Sequence, residues 1–294
     1  MDEQIRIAAF EWLERQALFY DDVLPRTVLE DGFYYKNQRI TLIGAKGIWK
    51  SKILKLPISI TTTADSPYDD AFTKENFLQY RYRGTDPSHP DNVGLREIMN
   101  KQIPLIYFLG IVKGKYLAAW PVYIIQDNIP GLTFKVAVDE IRLVKTDKIL
   151  EDPETYYRRS YLTSNIKLRL HQRSFRERVM LAYQNQCTLC RLKHIELLDA
   201  AHIIPDSEEH GQPIVQNGLS LCKIHHAAFD KNIIGITPDF TIKVREDILE
   251  ETDGPMLKYG IQSLESKKII LPRQKSDWPD RERLEERYQQ FISA

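Results

Sequence analysis

The segment LCKIHHAAFD, residues 221–230, places two adjacent histidines three and four positions after a cysteine. Neighbouring side chains on a helix point about 100° apart, so His225 and His226 are poorly placed to serve one small pocket. They could instead face two different sites. Imidazole is a common metal ligand and, with an unperturbed pKa of about 6.5, also a general base near neutral pH. The adjacent histidines therefore predict two separate functional sites.

All three cysteines of the chain lie close to this segment. Cys187 and Cys190 form a CxxC pair, and Cys222 forms a CxxH pair with His225 about thirty residues later. Two such pairs have the spacing of a closed tetrahedral zinc site, in which thiolates and imidazole clamp two chain segments together. Buried apolar thiols or a redox couple are the alternatives, and the odd number of cysteines argues against a disulfide framework. We predict a structural Zn²⁺ held by these four residues.

Two further motifs surround the cysteines. LLDAAHIIP, residues 197–205, is typical of a strand, and NGLSLC ends at Cys222. Together with the CxxC pair and CKIHHAAFD, these motifs resemble the zinc-braced branch of the HNH (ββα-metal) endonucleases over roughly residues 165–250. The resemblance implies two antiparallel strands and a helix that grip a catalytic divalent cation, Mg²⁺ or a similar ion.

The resemblance also implies roles for individual residues. His202 matches the general base that takes a proton from the attacking water. Asn217 matches the residue that orients the loop and this histidine, and His226 matches a ligand of the catalytic cation. Hydrolysis of a phosphodiester needs an activated water and a cation that stabilises the charge of the transition state, which these residue types can supply.

One position departs from the family pattern. Many members carry Asp or His directly before the base histidine as a metal ligand, and this chain has Ala201 there. Asp199, two residues earlier on the same strand face, and Asp230, one helical turn after His226, are the candidates to replace it. If neither carboxylate reaches the ion, we expect a non-catalytic, zinc-stapled DNA-binding protein.

A run of basic residues from position 158 to position 178 precedes the cysteines and contains a single acid. Beside a phosphodiesterase core, arginines would neutralise DNA phosphates and release counterions. We predict that Arg169, Arg173 and Arg176 contact double-stranded DNA. The alternative is a solvated helix face.

The first half of the chain is mostly of strand character. Turn signals at Lys36-Asn37 and at Lys113-Gly114 lie between apolar runs and predict two hairpins. Polar, helical character begins near residue 151. The sequence therefore predicts an α+β protein with a β-rich DNA-recognition domain, residues 1–155, and a ββα-metal HNH domain with a structural zinc, residues 156–294.

An initial helix, the segment GFYYKNQRITLIGAKGIWK and later strands ending in AAWPVYI resemble the N-terminal part of HNH restriction endonucleases. They are also loosely similar to the barrel-like domains of the PUA and SRA type, which implies recognition of a modified base. Such a base is generally extruded into a pocket with aromatic walls and polar groups. The candidates for this pocket are Trp49, Tyr80, Arg81, Tyr82, Arg83 and Trp120. As a strand, the YRYR segment, residues 80–83, would direct both tyrosines to one face and both arginines to the other. Position by position, an ordinary core aromatic or surface charge is the competing interpretation.

These observations favour a metal-dependent DNA endonuclease of restriction type that cleaves DNA carrying methylated or hydroxymethylated cytosine. Cleavage of unmodified sequences is the alternative. One HNH core cuts one strand, so double-strand cleavage leads us to expect a homodimer. The chain has no net charge, no apolar run long enough to span a membrane and no basic-then-apolar signal segment, and we expect a cytoplasmic location.

Overall fold

The computed structural model describes residues 1–63, 77–138, 153–252 and 254–294. The chain divides into two compact units, Met1–Arg173 (unit 1) and Ser174–Ala294 (unit 2). Helix α4, Pro153–Ala182, runs through this division. Helix α4 belongs to unit 1 up to Arg173, and the domain boundary after residue 155 stays a prediction. None of the described helices combines the length and the apolar character that crossing a membrane requires.

Unit 1 combines short helices with one large sheet. Its elements before α4 are α1 (Asp2–Phe19), β1 (Leu24–Pro25), α2 (Arg26–Asp31), β2 (Phe33–Tyr35), β3 (Gln38–Ile40), β4 (Ile48–Trp49), β5 (Ser59–Thr62), β6 (Leu78–Arg81), α3 (Pro90–Asn100), β7 (Leu105–Val112), β8 (Lys115–Asn128) and β9 (Thr133–Val138). This mixture of helices and strands confirms the predicted α+β class.

The large sheet has the strand order β4-β5-β7-β8-β9-β6, and β1 pairs with the start of β8. Strands β5 and β7 are parallel, whereas the other neighbours along this order are antiparallel. The hydroxyl of Tyr80 in β6 donates to the carbonyl oxygen of Gly47, beside β4, at 3.0 Å. The two ends of the sheet therefore approach each other, and the sheet is a curled half-barrel.

Each face of this sheet is covered by its own hydrophobic core. Strand β7 shows the alternation clearly, because successive side chains of a strand point to opposite faces. Ile106 and Phe108 pack in the core that includes residues of α1. Leu105 and Tyr107 pack in the core that includes residues of α3.

Local signals in the first half predicted these elements correctly. Lys36 and Asn37 both have positive φ, 45° and 63°, in the turn between β2 and β3. Gly114, with φ 79°, turns the chain between β7 and β8. In β6, Tyr80 is buried whereas Arg81 is exposed, as the alternating YRYR pattern predicts.

Unit 2 begins within α4 and continues with smaller elements. These are β10 (Leu198–His202), β11 (Gly218–Cys222), α5 (Lys223–Asp230), β12 (Ile234–Ile236), β13 (Ile242–Val244), α6 (Glu246–Glu250), α7 (Pro255–Gly260) and α8 (Arg281–Ile292). Strands β10 and β11 form an antiparallel pair in which Leu198 lies opposite Cys222 and His202 lies opposite Gly218. Because α5 follows β11 directly, the predicted two strands and a helix are present.

The end of the chain packs back onto this core through α8. Asp280 caps the helix by accepting hydrogen bonds from the backbone N–H groups of Glu282 and Arg283 at 2.9 and 3.0 Å. Leu284 is completely buried. Two turns further on, the Phe291 ring lies against Gly235 of β12, where an added Cβ atom would come within 2.6 Å of ring carbons. Gly235 is therefore the position that lets α8 approach β12 closely.

We expect Gly235→Ala to lower the free energy of unfolding by about 1–3 kcal/mol, because the added methyl group overpacks the contact with Phe291. Urea denaturation followed by circular dichroism would measure this change. Gly254→Ala is the matched control, because a Cβ atom there meets nothing within 4 Å in the described part of the chain. Equal stability of the two variants would contradict the proposed close approach of α8 and β12.

Candidate metal centres and active site

The four residues of the predicted zinc site converge in unit 2. The ligand atoms of Cys187, Cys190, Cys222 and His225 all lie within 4.8 Å of one another. A tetrahedral Zn²⁺ with Zn–S bonds of about 2.3 Å needs its sulfur ligands roughly 3.8 Å apart, so only a small contraction of this cluster is required. The donor set of three sulfurs and one imidazole also suits zinc. The cluster could therefore hold a metal ion.

The local backbone brings these ligands together. Cys187 and Cys190 lie in the turn after α4, where the N–H of Arg191 donates to the carbonyl oxygen of Cys187 at 3.0 Å. Cys222 ends β11, and His225 lies in the first turn of α5. The cluster thus joins the turn after α4 to the junction between β11 and α5.

The protonation chemistry of the cluster also fits a cation. Nδ1 of His225 lies 3.4 Å from the sulfur of Cys187 and 3.2 Å from that of Cys222. Burial alone lowers the pKa of His225, but hydrogen bonds to these two sulfurs outweigh it and raise the pKa to about 10. Hydrogen bonds from Cys190 and Cys222 lower the pKa of the Cys187 thiol far below its usual range. A positive charge is therefore favoured among these sulfurs.

The other nitrogen of His225 is occupied as well. Nε2 lies 2.7 Å from the carbonyl oxygen of Gly260 and donates to it when Nδ1 faces the sulfurs. Metal-bound histidines usually donate their second N–H group to a carbonyl or carboxylate, which fixes the tautomer and the ring orientation. This contact leaves Nδ1 of His225 as the metal-facing atom.

The neighbouring His226 faces a different site, as the adjacent histidines predict. Its Nδ1 lies 3.6 Å from Oδ2 of Asp199, and its Nε2 lies 3.4 Å from Oδ2 of Asp230. A hard cation such as Mg²⁺ binds one or two protein carboxylates and completes its shell with water and substrate phosphate. An imidazole beside two partly exposed carboxylates fits such an ion. Ala201, at the usual ligand position, is completely buried in the hydrophobic core and contributes no donor.

His202 ends β10 and is close enough to His226 for the two imidazoles to interact electrostatically. Its ring stacks on Phe175, with centroids 4.0 Å apart and an interplanar angle of 15°. The Nε2 atom of His202 is buried and has no hydrogen-bond partner among the described residues. Burial lowers the pKa of His202 below 6.5, and the negative charge of Asp206 opposes this shift. His202 is therefore neutral at pH 7.

Asn217 is completely buried and holds the chain that follows His202. Its Oδ1 accepts from the N–H of Ile204 at 2.9 Å, and its Nδ2 donates to the carbonyl oxygens of Ile204 at 2.9 Å and Gln212 at 3.2 Å. The backbone of Asn217 also accepts from the N–H of Ile203 at 2.9 Å. The side chain thus contacts backbone on both sides of the loop between β10 and β11.

The three arginines predicted to contact DNA all make contacts within the protein. Arg169 donates to the carbonyl oxygen of Ala118 at 3.1 Å, and Arg176 donates to that of Leu198 at 2.8 Å. Arg173 forms two hydrogen bonds, at 2.9 and 3.0 Å, with the carboxylate of Asp21. These contacts occupy N–H groups that could otherwise donate to DNA phosphates. DNA binding by these arginines stays a prediction.

A cavity of about 600 Å³ lies within unit 1 between the two ends of the curled sheet. Four of the six predicted pocket residues line it, namely Tyr80, Arg81, Tyr82 and Arg83. Trp49 and Trp120 are not among its lining residues and pack against the opposite core, which includes residues of α1. The four residues of the YRYR segment therefore lie together at the cavity, whereas both tryptophans pack in the other core.

The ring of Tyr82, part of the aromatic wall of this cavity, is fixed by contacts with neighbouring side chains. The ring of Tyr82 stacks on Phe134 with centroids 4.6 Å apart. Its hydroxyl forms a short hydrogen bond with Asp127 and accepts one from Arg96 at 3.1 Å. Arg96 also donates to Asp127 at 2.6 Å. The orientation of Tyr82 is thus fixed before any ligand enters.

Asn92 of α3 is completely buried and braces the loop that follows β6. Its Oδ1 accepts from the N–H of Arg83 at 2.9 Å. Its Nδ2 donates to the carbonyl oxygens of Arg83 at 3.1 Å and Asp86 at 2.8 Å. The cavity rim is thereby fixed by a side chain from a helix outside the sheet.

Thr61 is a cavity residue that the sequence did not single out. It lines the cavity and is only 8% exposed, yet its hydroxyl has no hydrogen-bond partner in the described ranges. An unsatisfied buried hydroxyl costs about 1–3 kcal/mol. The run of threonines at the end of LPISITTT is the signal that could have identified it.

Part of the chain matches a known protein family. The model of the HNH endonuclease family matches residues 187–237, and this stretch is an HNH endonuclease domain. No curated protein matches the chain. Among solved structures, "Modification dependent TagI restriction endonuclease" is similar, with 16% identity, coverage of 80% of this chain and 81% of that chain, and a TM-score of 0.29. A similarity of this size does not establish a shared fold. The family match alone places an HNH endonuclease domain in unit 2.

The adjacent histidines give a matched pair of variants for the metal cluster. We expect the purified protein to carry one zinc per chain and His225→Ala to lose it, because the imidazole is one of the four predicted ligands. Zinc analysis of the purified proteins would measure this loss. We expect His226→Ala to keep one zinc per chain. Loss of zinc from both variants, or from neither, would contradict the assignment of the two histidines to separate sites.

Proposed function

We propose that the protein is a metal-dependent DNA endonuclease of restriction type in which His202 is the general base. One observation carries this proposal: His202, neutral at pH 7, interacts electrostatically with a second histidine that is flanked by two carboxylates. Both histidines belong to the HNH endonuclease domain. Phosphodiester hydrolysis needs this combination of a base and a cation site.

The residues divide the reaction between them. The imidazole of His202 accepts a proton from the attacking water, and stacking on Phe175 holds the ring in place for that transfer. Asn217 keeps the chain after His202 in position through its hydrogen bonds to Ile204. His226 and one or both of its flanking acids, Asp199 and Asp230, would hold the divalent cation. When bound, this cation stabilises negative charge on the phosphate and the leaving oxygen.

We expect His202→Ala to reduce plasmid cleavage in Mg²⁺ or Mn²⁺ by about 10²–10⁴-fold, which is the usual contribution of a general base. His194→Ala is the matched control, because His194 is exposed and lies outside the proposed site. Zinc content and melting temperature of both variants would establish that they are folded. Full activity of His202→Ala would eliminate the proposed base. If the unaltered protein cuts no DNA but binds DNA and zinc, the non-catalytic DNA-binding alternative applies.

The pH dependence of cleavage tests the state of His202. The base acts when it is deprotonated, so the rate should rise with pH as the solution passes the pKa of this histidine. Burial lowers that pKa, and the acid limb should therefore have its midpoint below 6.5. Single-turnover rates between about pH 5 and pH 8 would locate it, a range that brackets the ordinary histidine pKa. A midpoint above 6.5 would contradict the neutral, desolvated imidazole.

We further propose that unit 1 recognises a modified cytosine in double-stranded DNA and that its cavity accepts the extruded base. The volume of about 600 Å³ lies in the range usual for small-ligand pockets. Tyr80 and Tyr82 supply aromatic surface, and Arg81 and Arg83 add polar groups to the cavity lining. A PUA- or SRA-like identity of the domain belongs to this proposal. Recognition of unmodified sequence is the competing function for the same unit.

We expect Tyr82→Leu to weaken binding of a duplex carrying methylated or hydroxymethylated cytosine by about 5-fold or more, because stacking of a base on an aromatic ring contributes about 1–3 kcal/mol. Fluorescence anisotropy with modified and unmodified duplexes of the same sequence would measure it. The unmodified duplex is the control, and its affinity should not change. Unchanged discrimination in Tyr82→Leu would remove this ring from recognition. Equal binding of both duplexes by the unaltered protein would favour the unmodified-sequence alternative.

We also propose that two copies act together on double-stranded DNA, because one HNH core cuts one strand. A nicked plasmid that becomes linear at a rate rising with protein concentration supports a homodimer. Conversion independent of concentration supports successive nicks by one chain. Sedimentation of the protein on duplex DNA would give the stoichiometry directly.

A further inference from the structure

His226 presents one ring nitrogen to each of two acids, and this arrangement assigns the acids different roles. We propose that Asp199 binds the catalytic cation together with Nδ1 of His226, whereas Asp230 orients the His226 ring and is itself positioned by Arg287. This inference rests on the proposed function, because it concerns the same cation site. It resolves which carboxylate takes the place of the missing ligand at Ala201.

The chemistry of imidazole requires such a division. A neutral histidine has one nitrogen with a lone pair and one N–H group. The first can bind a cation, and the second commonly donates to a carboxylate that fixes the ring. Asp199 lies 3.6 Å from Nδ1, and Asp230 lies 3.4 Å from Nε2, on the opposite side of the ring. One acid therefore shares the cation, and the other accepts the N–H.

Position in the fold favours Asp199 as the cation ligand. Asp199 lies on β10, where it is paired with Leu221, and the same strand ends at the proposed base His202. The strand thus holds the base and the cation ligand in one rigid element. Asp230 is the last residue of α5, and its side chain is 56% exposed compared with 38% for Asp199.

Electrostatics on the other side of the ring favour Asp230 as the orienting acid. Arg287 of α8 donates from Nη2 to the carbonyl oxygen of Phe229 at 2.7 Å, and its guanidinium lies 4.9 Å from the centre of the Phe229 ring. The positive charge of Arg287 interacts with Asp230, the next residue along α5. Two cations at one carboxylate repel each other. The divalent ion is therefore favoured at Asp199, away from Arg287.

The packing of α8 explains why Arg287 reaches this place. Leu284, Arg287 and Phe291 are three and four residues apart and share one helix face. Leu284 is completely buried, and Phe291 packs on Gly235, so the guanidinium between them is directed at the end of α5. Helix α8 lies outside residues 187–237, the stretch that matches the HNH endonuclease family. Arg287 is thus a positioning residue contributed from outside the matched segment.

Binding of Mn²⁺ to the zinc-loaded full chain, followed by electron paramagnetic resonance, separates the two roles without DNA. A cation ligand needs its charge, so Asp199→Asn and Asp199→Ala should both weaken Mn²⁺ binding by more than about 30-fold. An orienting acid needs only an acceptor atom. Asp230→Asn should therefore stay within about 3-fold of the unaltered protein, whereas Asp230→Ala should lose about 10-fold, the usual effect of removing an outer partner of a metal ligand.

Arg287 is tested in the same titration. Arg287→Met should weaken Mn²⁺ binding by about 3- to 10-fold, and Arg287→Lys, which keeps the charge, should recover part of this loss. Arg273→Met is the matched control, because Arg273 is exposed and the described residues give it no ion pair, and it should bind Mn²⁺ normally. Zinc content and melting temperature would be measured for every variant.

The outcomes distinguish the inference from the function on which it rests. If Asp230→Asn abolishes Mn²⁺ binding and Asp199→Asn retains it, the roles are reversed and the inference is wrong. Equal losses in the two Asn variants, unaltered binding in Arg287→Met, or binding by the unaltered protein no tighter than by His226→Ala would also overturn it. If the protein binds Mn²⁺ as expected but cleaves no DNA, the proposed endonuclease activity fails while the division between the acids stands.

Discussion

The clamp formed by Cys187, Cys190, Cys222 and His225 is the constraint on which the geometry of unit 2 depends. It fixes the turn after α4 to the point where β11 becomes α5. Because His225 turns into the clamp and donates to Gly260, the next side chain along the helix must face elsewhere. His226 accordingly faces Asp199 and Asp230. The cluster thus determines that the His226 imidazole faces these two carboxylates.

Both units hold a loop beside their site with a buried asparagine. Asn217 contacts backbone on either side of the loop between β10 and β11, and Asn92 does the same for the loop after β6. An amide can donate and accept at once, so it can satisfy opposing backbone groups within one small space. A charged or apolar side chain of similar size would leave one of these groups unpaired. In both units, a buried amide side chain therefore fixes the loop beside the site.

The sequence predicted those features that arise from contacts close along the chain. The CxxC and CxxH pairs, the turns at Lys36 and Gly114 and the alternation around Tyr80 all depend on spacings of a few residues. The site contacts it missed depend on residues far apart. Arg173 pairs with Asp21, which lies 152 positions away, and Arg287 contacts Phe229 across 58 positions. No local pattern encodes these partners, because they are set by how whole elements pack.

The recognition residues illustrate the same limit. Tyr80 and Tyr82 were correctly placed on one side of a strand, but which side faces a cavity depends on the curl of the whole sheet. Trp49 and Trp120 are aromatic residues of the same region and yet lie on the other face. The hydroxyl of Thr61 has no hydrogen-bond partner among the described residues, and this property can be seen only in the folded structure. The candidate catalytic residues were easier to find because their motif is compact in sequence.

Asn217 is followed by Gly218, and this has a consequence for how the protein ages. In an open chain, an Asn-Gly pair loses ammonia readily, because the next backbone nitrogen can attack the side-chain amide without hindrance. Here both ends of the amide are held by Ile204, so the folded loop protects it. Each transient opening exposes it, and the aspartate that forms would set a buried negative charge against carbonyl oxygens. Conversion of Asn217 to aspartate with time should therefore record how often this loop has opened, as an irreversible chemical trace of its dynamics.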